Sequence, residues 1–164
     1  MAQRTTATLA APRGLRTVSL VLLVTFIAII AVITFWPGPP DPDGQRALRT
    51  FLRQAHLNGW PLWITFGKVE FGANIMMFAP IGFFGALALP RARWVIVPAA
   101  MLASGCIEAV QVFRLPERVG TARDVLANGI GAFIGYVLAV AVLLALARLD
   151  RRRSAAAVPA LRRA

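Results

Sequence analysis

Four long apolar stretches dominate the sequence and limit what the chain can fold into. Each has few or no charged residues over about 20 positions, which at about 1.5 Å per residue lets a helix cross a hydrocarbon core of about 30 Å. Transmembrane strands alternate apolar and polar residues, whereas these stretches are continuously apolar. The sequence therefore predicts an all-α integral membrane protein with four transmembrane helices, at about 18–36, 71–89, 94–112 and 125–147.

The composition favours the same class of protein. Of the 164 residues, 58% are apolar and only 15% are charged, whereas a soluble domain has about 25% charged residues. This excludes a soluble globular enzyme. The net charge of +11 comes from basic residues between the apolar stretches, not from a soluble basic face with aromatic readers, so no nucleic-acid partner is expected. The single cysteine, Cys106, excludes a disulfide framework and a cysteine-rich metal site.

Two interpretations of the first stretch are open, a cleaved signal peptide and an uncleaved signal anchor. Arg4, Arg13 and Arg16 precede the stretch and fit both. The bulky pair Phe35-Trp36 stands where small residues would precede a cleavage site, and the apolar run is longer than that of a typical signal peptide. These two features favour the uncleaved anchor.

The distribution of basic residues predicts the orientation, because cytoplasmic segments are enriched in Lys and Arg. With the N-terminus inside, eleven of the eighteen basic residues are cytoplasmic and seven are outside. Among the acidic residues only Asp150 falls inside. We therefore expect both termini in the cytoplasm, with a basic N-terminal segment at 1–17 and a basic, disordered tail at 148–164 held near anionic lipid.

The first outer connection, about 37–70, is long for a four-helix protein. Its apolar residues have helical spacing and its arginines line another face, as in an interfacial amphipathic helix. The alternative is a short surface helix packed on the bundle. The apolar set is Leu48, Phe51, Leu52 and Ala55, and the basic set is Arg46, Arg49 and Arg53.

Polar residues inside the spans are the candidates for function, because a central charge costs roughly 2.5–3.5 kcal/mol on translocon-based scales. They form stripes on single helix faces. In the predicted orientation these residues and two arginines of the last outer loop fall near the outer boundary, where they would form a polar pocket. The candidate ligand-binding residues are Asn74, Ser104, Glu108, Gln111, Arg118, Arg123, Asp124 and Asn128.

Structural roles compete with this interpretation. Asp124 completes a capping box with Thr121 in one reading. Asn74, Asn128 and Ser104 are residue types that bond between helices or to their own helix backbone. A helix-packing role is favoured for Pro80, Gly82, Gly131 and Gly135. Glu108 is the hardest to explain structurally, because a carboxylate there must be paired, protonated or facing water.

Three segments in order resemble the VanZ-like family of membrane proteins. The family signature N-x-x-x-F-x-P-x-G is similar to residues 74–82, NIMMFAPIG, and S-x-x-x-E-x-x-Q is similar to residues 104–111. The segment R…D-x-x-x-N-x-x-G-x-x-x-G is similar to Arg118 followed by residues 124–135. Family members often have a further acidic residue between the Arg and the Asp, where this chain has Gly-Thr-Ala-Arg. No metal site and no cofactor are therefore expected.

The resemblance implies a multi-pass protein of the bacterial plasma membrane, in a family named for low-level resistance to the glycopeptide teicoplanin. The leading hypothesis is an accessory envelope protein that binds a polar or anionic headgroup, with membrane lipids or a lipid-linked cell-wall precursor as partners. Arg118 and Arg123 would pair with phosphate or carboxylate. The alternative is a small membrane-embedded enzyme with Glu108 and Asp124 as its acid and base. A transporter is disfavoured, because transporter sites usually lie near the midplane.

Overall fold

Five α-helices make up the computed structural model, which describes residues 10–35, 42–114 and 122–161. A single 3-10 turn, Arg93–Val95, precedes the fourth helix. The described residues contain no strand. The helices are α1 (Arg13–Phe35), α2 (Pro42–Leu57), α3 (Phe66–Ala88), α4 (Ile96–Arg114) and α5 (Ala122–Leu161).

Four of these helices, α1, α3, α4 and α5, are long and apolar enough to cross a membrane, as the sequence predicted. Only 11% to 33% of the residues in each span are buried inside the protein. Large apolar side chains such as Val21, Met76, Leu102 and Phe133 are exposed on the outside of the bundle. An apolar exterior of this extent is what the hydrocarbon of a bilayer requires.

The directions of the helices follow from two buried clusters. One joins Ala11, before α1, to Leu87 at the end of α3 and to Leu143 of α5. The other joins Ile30, late in α1, to Phe78 of α3 and to Ala132 of α5. Helix α3 is thus antiparallel to α1 and parallel to α5. Helices α3 and α5 begin at one end of the bundle, and α4 ends there. We call this end the polar end.

Small residues bring α3 and α5 together. A Cβ added at Gly131 would meet the backbone of Ile75, one at Gly135 would meet that of Ala79, and one at Gly82 would meet that of Ala132. The two helices therefore contact backbone to backbone, as in small-residue interfaces of membrane proteins. Pro80 lies inside α3 without ending it.

The segment after α2 folds back onto that helix. The N–H of Trp60 bonds to the carbonyl of Ala55 at 3.0 Å and that of Gly59 to His56 at 3.1 Å, which is the Schellman pattern at a helix C-terminus. Gly59 has φ +89°, a conformation that favours glycine. Leu52 and Ala55 are buried, whereas Phe51 is 56% exposed and makes an edge contact with Trp60. The predicted helix is present, and its position at the membrane interface stays a prediction.

The last helix differs from the sequence-based expectation. The tail was expected to be disordered from residue 148, but α5 continues to Leu161. The physical reason is composition, because Ala, Arg and Leu are strong helix formers and extend a helix that the preceding span has already nucleated. Arg151, Arg152 and Arg153 are exposed on this extension.

Candidate functional site

A buried hydrogen bond joins α4 to α5 at the polar residues that the sequence singled out. The Nδ2 of Asn128 donates to the Oγ of Ser104 at 2.7 Å. Ser104 is 1% exposed and Asn128 is 7% exposed, so water does not compete for the bond. Asn128 Oδ1 is also buried and has no hydrogen-bond partner within the described residues.

A second hydrogen bond joins α3 to the first turn of α5. The Nδ2 of Asn74 donates to the Oδ1 of Asp124 at 2.9 Å, in a partly buried position. Bonds that involve a carboxylate are stronger than bonds between neutral groups. Together with the Ser104–Asn128 bond, it ties three transmembrane helices to one another near the polar end.

Glu108 lies at the same level as Asp124. Helix α4 runs antiparallel to α5, because Gly85 of α3 lies against Ile96 at the start of α4. Glu108 is one turn beyond Ser104 toward the polar end, and Asp124 is one turn before Asn128 in the same direction, each about 6 Å along its helix. Glu108 Oε2 is buried. We call Asn74, Ser104, Glu108, Asp124 and Asn128 the polar cluster.

Arg123 lies across the first turns of α3. Its guanidinium donates to the carbonyl of Gly67 at 2.8 Å and stands 5.3 Å from the ring centre of Phe71, within cation–π range. A Cβ on Gly67 would come within 2.8 Å of the guanidinium, so the absence of a side chain there makes room for Arg123. The arginine is exposed, and its cation is held in one place at the polar end.

The structure thus brings together five of the eight predicted ligand-binding residues, and Arg123 directly precedes Asp124 in the first turn of α5. Gln111 lies on α4, and its side chain falls outside the described part of the molecule. Arg118 and Thr121 lie outside the described residues as well, so the capping box of Thr121 with Asp124 stays a prediction. The carboxylate of Asp124 accepts a hydrogen bond from Asn74.

Two residues of the site were missed by the sequence reasoning, Gly67 and Phe71. A signal was present, because Gly67, Phe71 and Asn74 follow one another at i, i+4 and i+7 and therefore share one face of α3. Glu70, which also stands one helical turn before Asn74 in the sequence, is exposed. Glycine and phenylalanine are common in apolar helices, so this spacing alone does not indicate a polar site.

The chemistry available at this site is hydrogen bonding and charge pairing. The polar cluster offers amide donors, carboxylate acceptors and the buried Asn128 Oδ1, and Arg123 adds a fixed cation. Among the described residues, no three His, Cys, Asp or Glu side chains lie close enough to share a metal ion. Hydrogen-bonding groups, carboxylates and one guanidinium are thus available at the polar end.

Apolar helices with a polar cluster at one end of the bundle define a multi-pass, all-α membrane protein. The family model for VanZ/LLP1 matches residues 22–145. The chain belongs to this family. Neither a curated protein nor a solved structure matches it. The matched region contains all four apolar helices in large part and the whole polar cluster.

Proposed function

We propose that this VanZ-like protein is an accessory protein of the bacterial cell envelope that binds a polar or anionic headgroup at the outer leaflet and thereby affects tolerance to teicoplanin. The observation that carries the proposal is the gathering of polar side chains from α3, α4 and α5 beside the held cation of Arg123. Polar groups are costly in a membrane span, so the presence of several of them on three spans supports a role in binding a ligand.

The distribution of basic residues supports the outer location. With both termini in the cytoplasm, the starts of α3 and α5 face the outside, and so does the polar end. A headgroup in the outer leaflet would then reach Arg123 first. Its phosphate or carboxylate would pair with the guanidinium, while hydroxyl or amide groups of the ligand would donate to Asn128 Oδ1.

The contact between Arg123 and Gly67 provides a test of the binding role. Arg123→Gln removes the cation, and Gly67→Ala keeps the cation but shifts it, because the new methyl group would lie 2.8 Å from a guanidinium nitrogen. Gly72→Ala is the matched control, since nothing lies within 4 Å of a Cβ at Gly72 on the same helix. We expect the first two variants to lose teicoplanin tolerance in cells and headgroup-lipid binding in detergent, at normal expression, and the control to keep both.

A loss of about ten-fold or more in affinity is expected for Arg123→Gln, since hydrogen bonds to charged groups contribute about 1.5–3 kcal/mol. Full tolerance and unchanged lipid binding in both Arg123→Gln and Gly67→Ala would overturn the proposal. A parallel loss in Gly72→Ala would show that the effect comes from α3 stability and not from the cation.

The outer location is tested separately by cysteine accessibility. Single cysteines at positions 108, 118 and 124, in a Cys106→Ser background, are treated from outside with a membrane-impermeant thiol reagent. We expect labelling at 118 and 124. Labelling of the three positions only after the membrane is permeabilised would reverse the orientation on which the proposal depends.

A further inference from the structure

A second site lies between α2 and the segment that follows it, away from the polar cluster. A groove of about 450 Å³ opens there, within the range of small-molecule sites of about 300–1,000 Å³. Its walls are mostly apolar and its rim is basic. The residues that matter for the argument are Arg49, Leu52, Arg53, His56, Leu62 and Phe66.

The groove is held in shape by side-chain contacts. His56 Nε2 donates to the carbonyl of Ile64 at 3.1 Å, which ties the returning segment to α2. The guanidinium of Arg49 lies 4.0 Å from the ring centre of Phe66, in a cation–π contact that directs the charge across the groove. The Schellman turn at Gly59 sets the angle between the two walls.

Arg49 and Arg53 on the rim differ from Arg46 in their charge pairing among the described residues. Arg46, which lies one helical turn before Arg49, forms an ion pair with Asp43 at 3.3 Å. Arg49 and Arg53, in contrast, form no ion pair with any carboxylate in the part of the chain that the structure describes. Two guanidinium groups beside an apolar cleft favour a ligand that combines an anion with hydrocarbon, because each part then meets a complementary surface.

The location of the groove favours a membrane lipid as that ligand. Phe66 forms part of the wall and is also the first residue of the α3 span. Trp60, Leu62 and Trp63 beside it are 49%, 77% and 65% exposed, and exposed tryptophans near a span end are typical of the headgroup region. Lys68 stands 5.1 Å from the ring centre of Trp63 and adds a further cation.

We propose that this groove binds an anionic phospholipid, with its phosphate between Arg49 and Arg53 and the upper part of an acyl chain against Leu52, Leu62 and Phe66. The site is separate from the polar cluster and does not rest on the function proposed above. Loss of lipid binding at this groove leaves the Arg123 experiment unaffected, and the reverse also holds.

The first test uses native mass spectrometry of the purified full chain with phosphatidylglycerol or phosphatidylcholine. Arg49→Gln and Arg53→Gln are compared with Arg46→Gln, which removes the same charge from the same helix outside the groove. We expect each groove variant to bind phosphatidylglycerol about five-fold more weakly and the double variant about 25-fold more weakly, as follows from the usual contribution of a basic residue near anionic lipid. Arg46→Gln should change binding by less than about two-fold.

Equal losses in Arg46→Gln and the groove variants would overturn the proposal, because they would indicate general surface attraction. So would displacement of phosphatidylglycerol by inorganic phosphate at millimolar concentration, since the groove would then be a site for free phosphate. Weak binding of phosphatidylcholine by all variants agrees with the proposal.

A second test requires no change to the groove. In a Trp36→Phe, Trp94→Phe background, fluorescence reports only on Trp60 and Trp63. We expect vesicles in which phosphatidylglycerol carries brominated chains to quench this fluorescence at least two-fold more than vesicles with the same fraction of brominated phosphatidylcholine. Equal quenching by the two lipids would overturn the assignment.

Discussion

Replacement of Gly135 by alanine tests whether the contact between α3 and α5 holds the site together. A Cβ at this position would lie 2.6 Å from the backbone nitrogen of Phe83 and would also meet the carbonyl of Ala79. Both atoms belong to the backbone of α3 and cannot rotate away. Restoring an ordinary contact of 3.4 Å requires α3 and α5 to separate by about 0.8 Å or more.

The separation has two energetic consequences. Overpacking of this kind costs about 1–3 kcal/mol, and the intrinsic gain in helix propensity from Gly to Ala, about 1 kcal/mol, offsets part of it. A uniform shift of 0.8 Å would also stretch the 2.9 Å bond between Asn74 and Asp124 to about 3.7 Å, which is no longer a hydrogen bond. Loss of this hydrogen bond costs about 1 kcal/mol, which cancels the gain in helix propensity, so we expect a net loss of about 1–3 kcal/mol.

The assay is thermal unfolding of the purified protein in detergent, followed by circular dichroism. A loss of this size lowers Tm by about 2–12 °C for a chain of about 160 residues. Gly105→Ala on α4 is the control, since nothing lies within 4 Å of a Cβ there, and its Tm should be equal to or above that of the parent. Equal Tm values for the Gly135→Ala and Gly105→Ala variants would refute the close backbone contact.

Three further predictions concern two hydrogen bonds and the turn at Gly59. The first is a double-mutant cycle of Ser104→Ala and Asn128→Ala, measured by unfolding in mixed micelles. We expect a coupling energy of about 0.6–1.7 kcal/mol, as for hydrogen bonds between membrane helices. A coupling energy of zero would contradict the bond. Asn74→Ala should cost at least as much, because it removes a donor to the carboxylate of Asp124, and unchanged stability in the same assay would show that the carboxylate is held by other groups. Gly59→Ala should lower the local stability of the turn by about 1 kcal/mol, because alanine disfavours a positive φ. We expect faster hydrogen exchange of the backbone amides at the end of α2 and little change elsewhere. Unchanged exchange at the end of α2 would argue against the positive φ.

The spans could be predicted from the sequence because their signal is local. A continuous apolar stretch of sufficient length permits few structures in a bilayer, so the four long helices appear within a few residues of the predicted positions. The end of α5 could not be placed in this way. Loss of hydropathy after residue 147 marks the end of a span but not the end of a helix, since Ala and Arg continue the helix in water.

The hydrogen bonds between side chains of different helices could not be predicted from the sequence in the same way. Helical spacing places Ser104 and Glu108 on one face of α4, and Asp124 and Asn128 on one face of α5. It does not give the rotation or the height of one helix against the next, so the sequence did not indicate that Asn128 bonds to Ser104 or that Asn74 bonds to Asp124. On α2, spacing places Phe51, Leu52 and Ala55 on one apolar face. Leu52 and Ala55 are buried, whereas Phe51 is exposed and makes an edge contact with Trp60.

The backbone contact between α3 and α5 has a consequence for sequence change. Where two helices touch through Gly82, Gly131 and Gly135, their spacing is set by main-chain atoms, and the side chains on their outer faces have no part in it. The exposed residues of the bundle, such as Met76 and Phe133, can therefore be exchanged for other apolar residues while Asn74 and Asp124 keep their distance. The bilayer-facing surface is free to adapt to membranes of different composition without any adjustment of the polar groups inside.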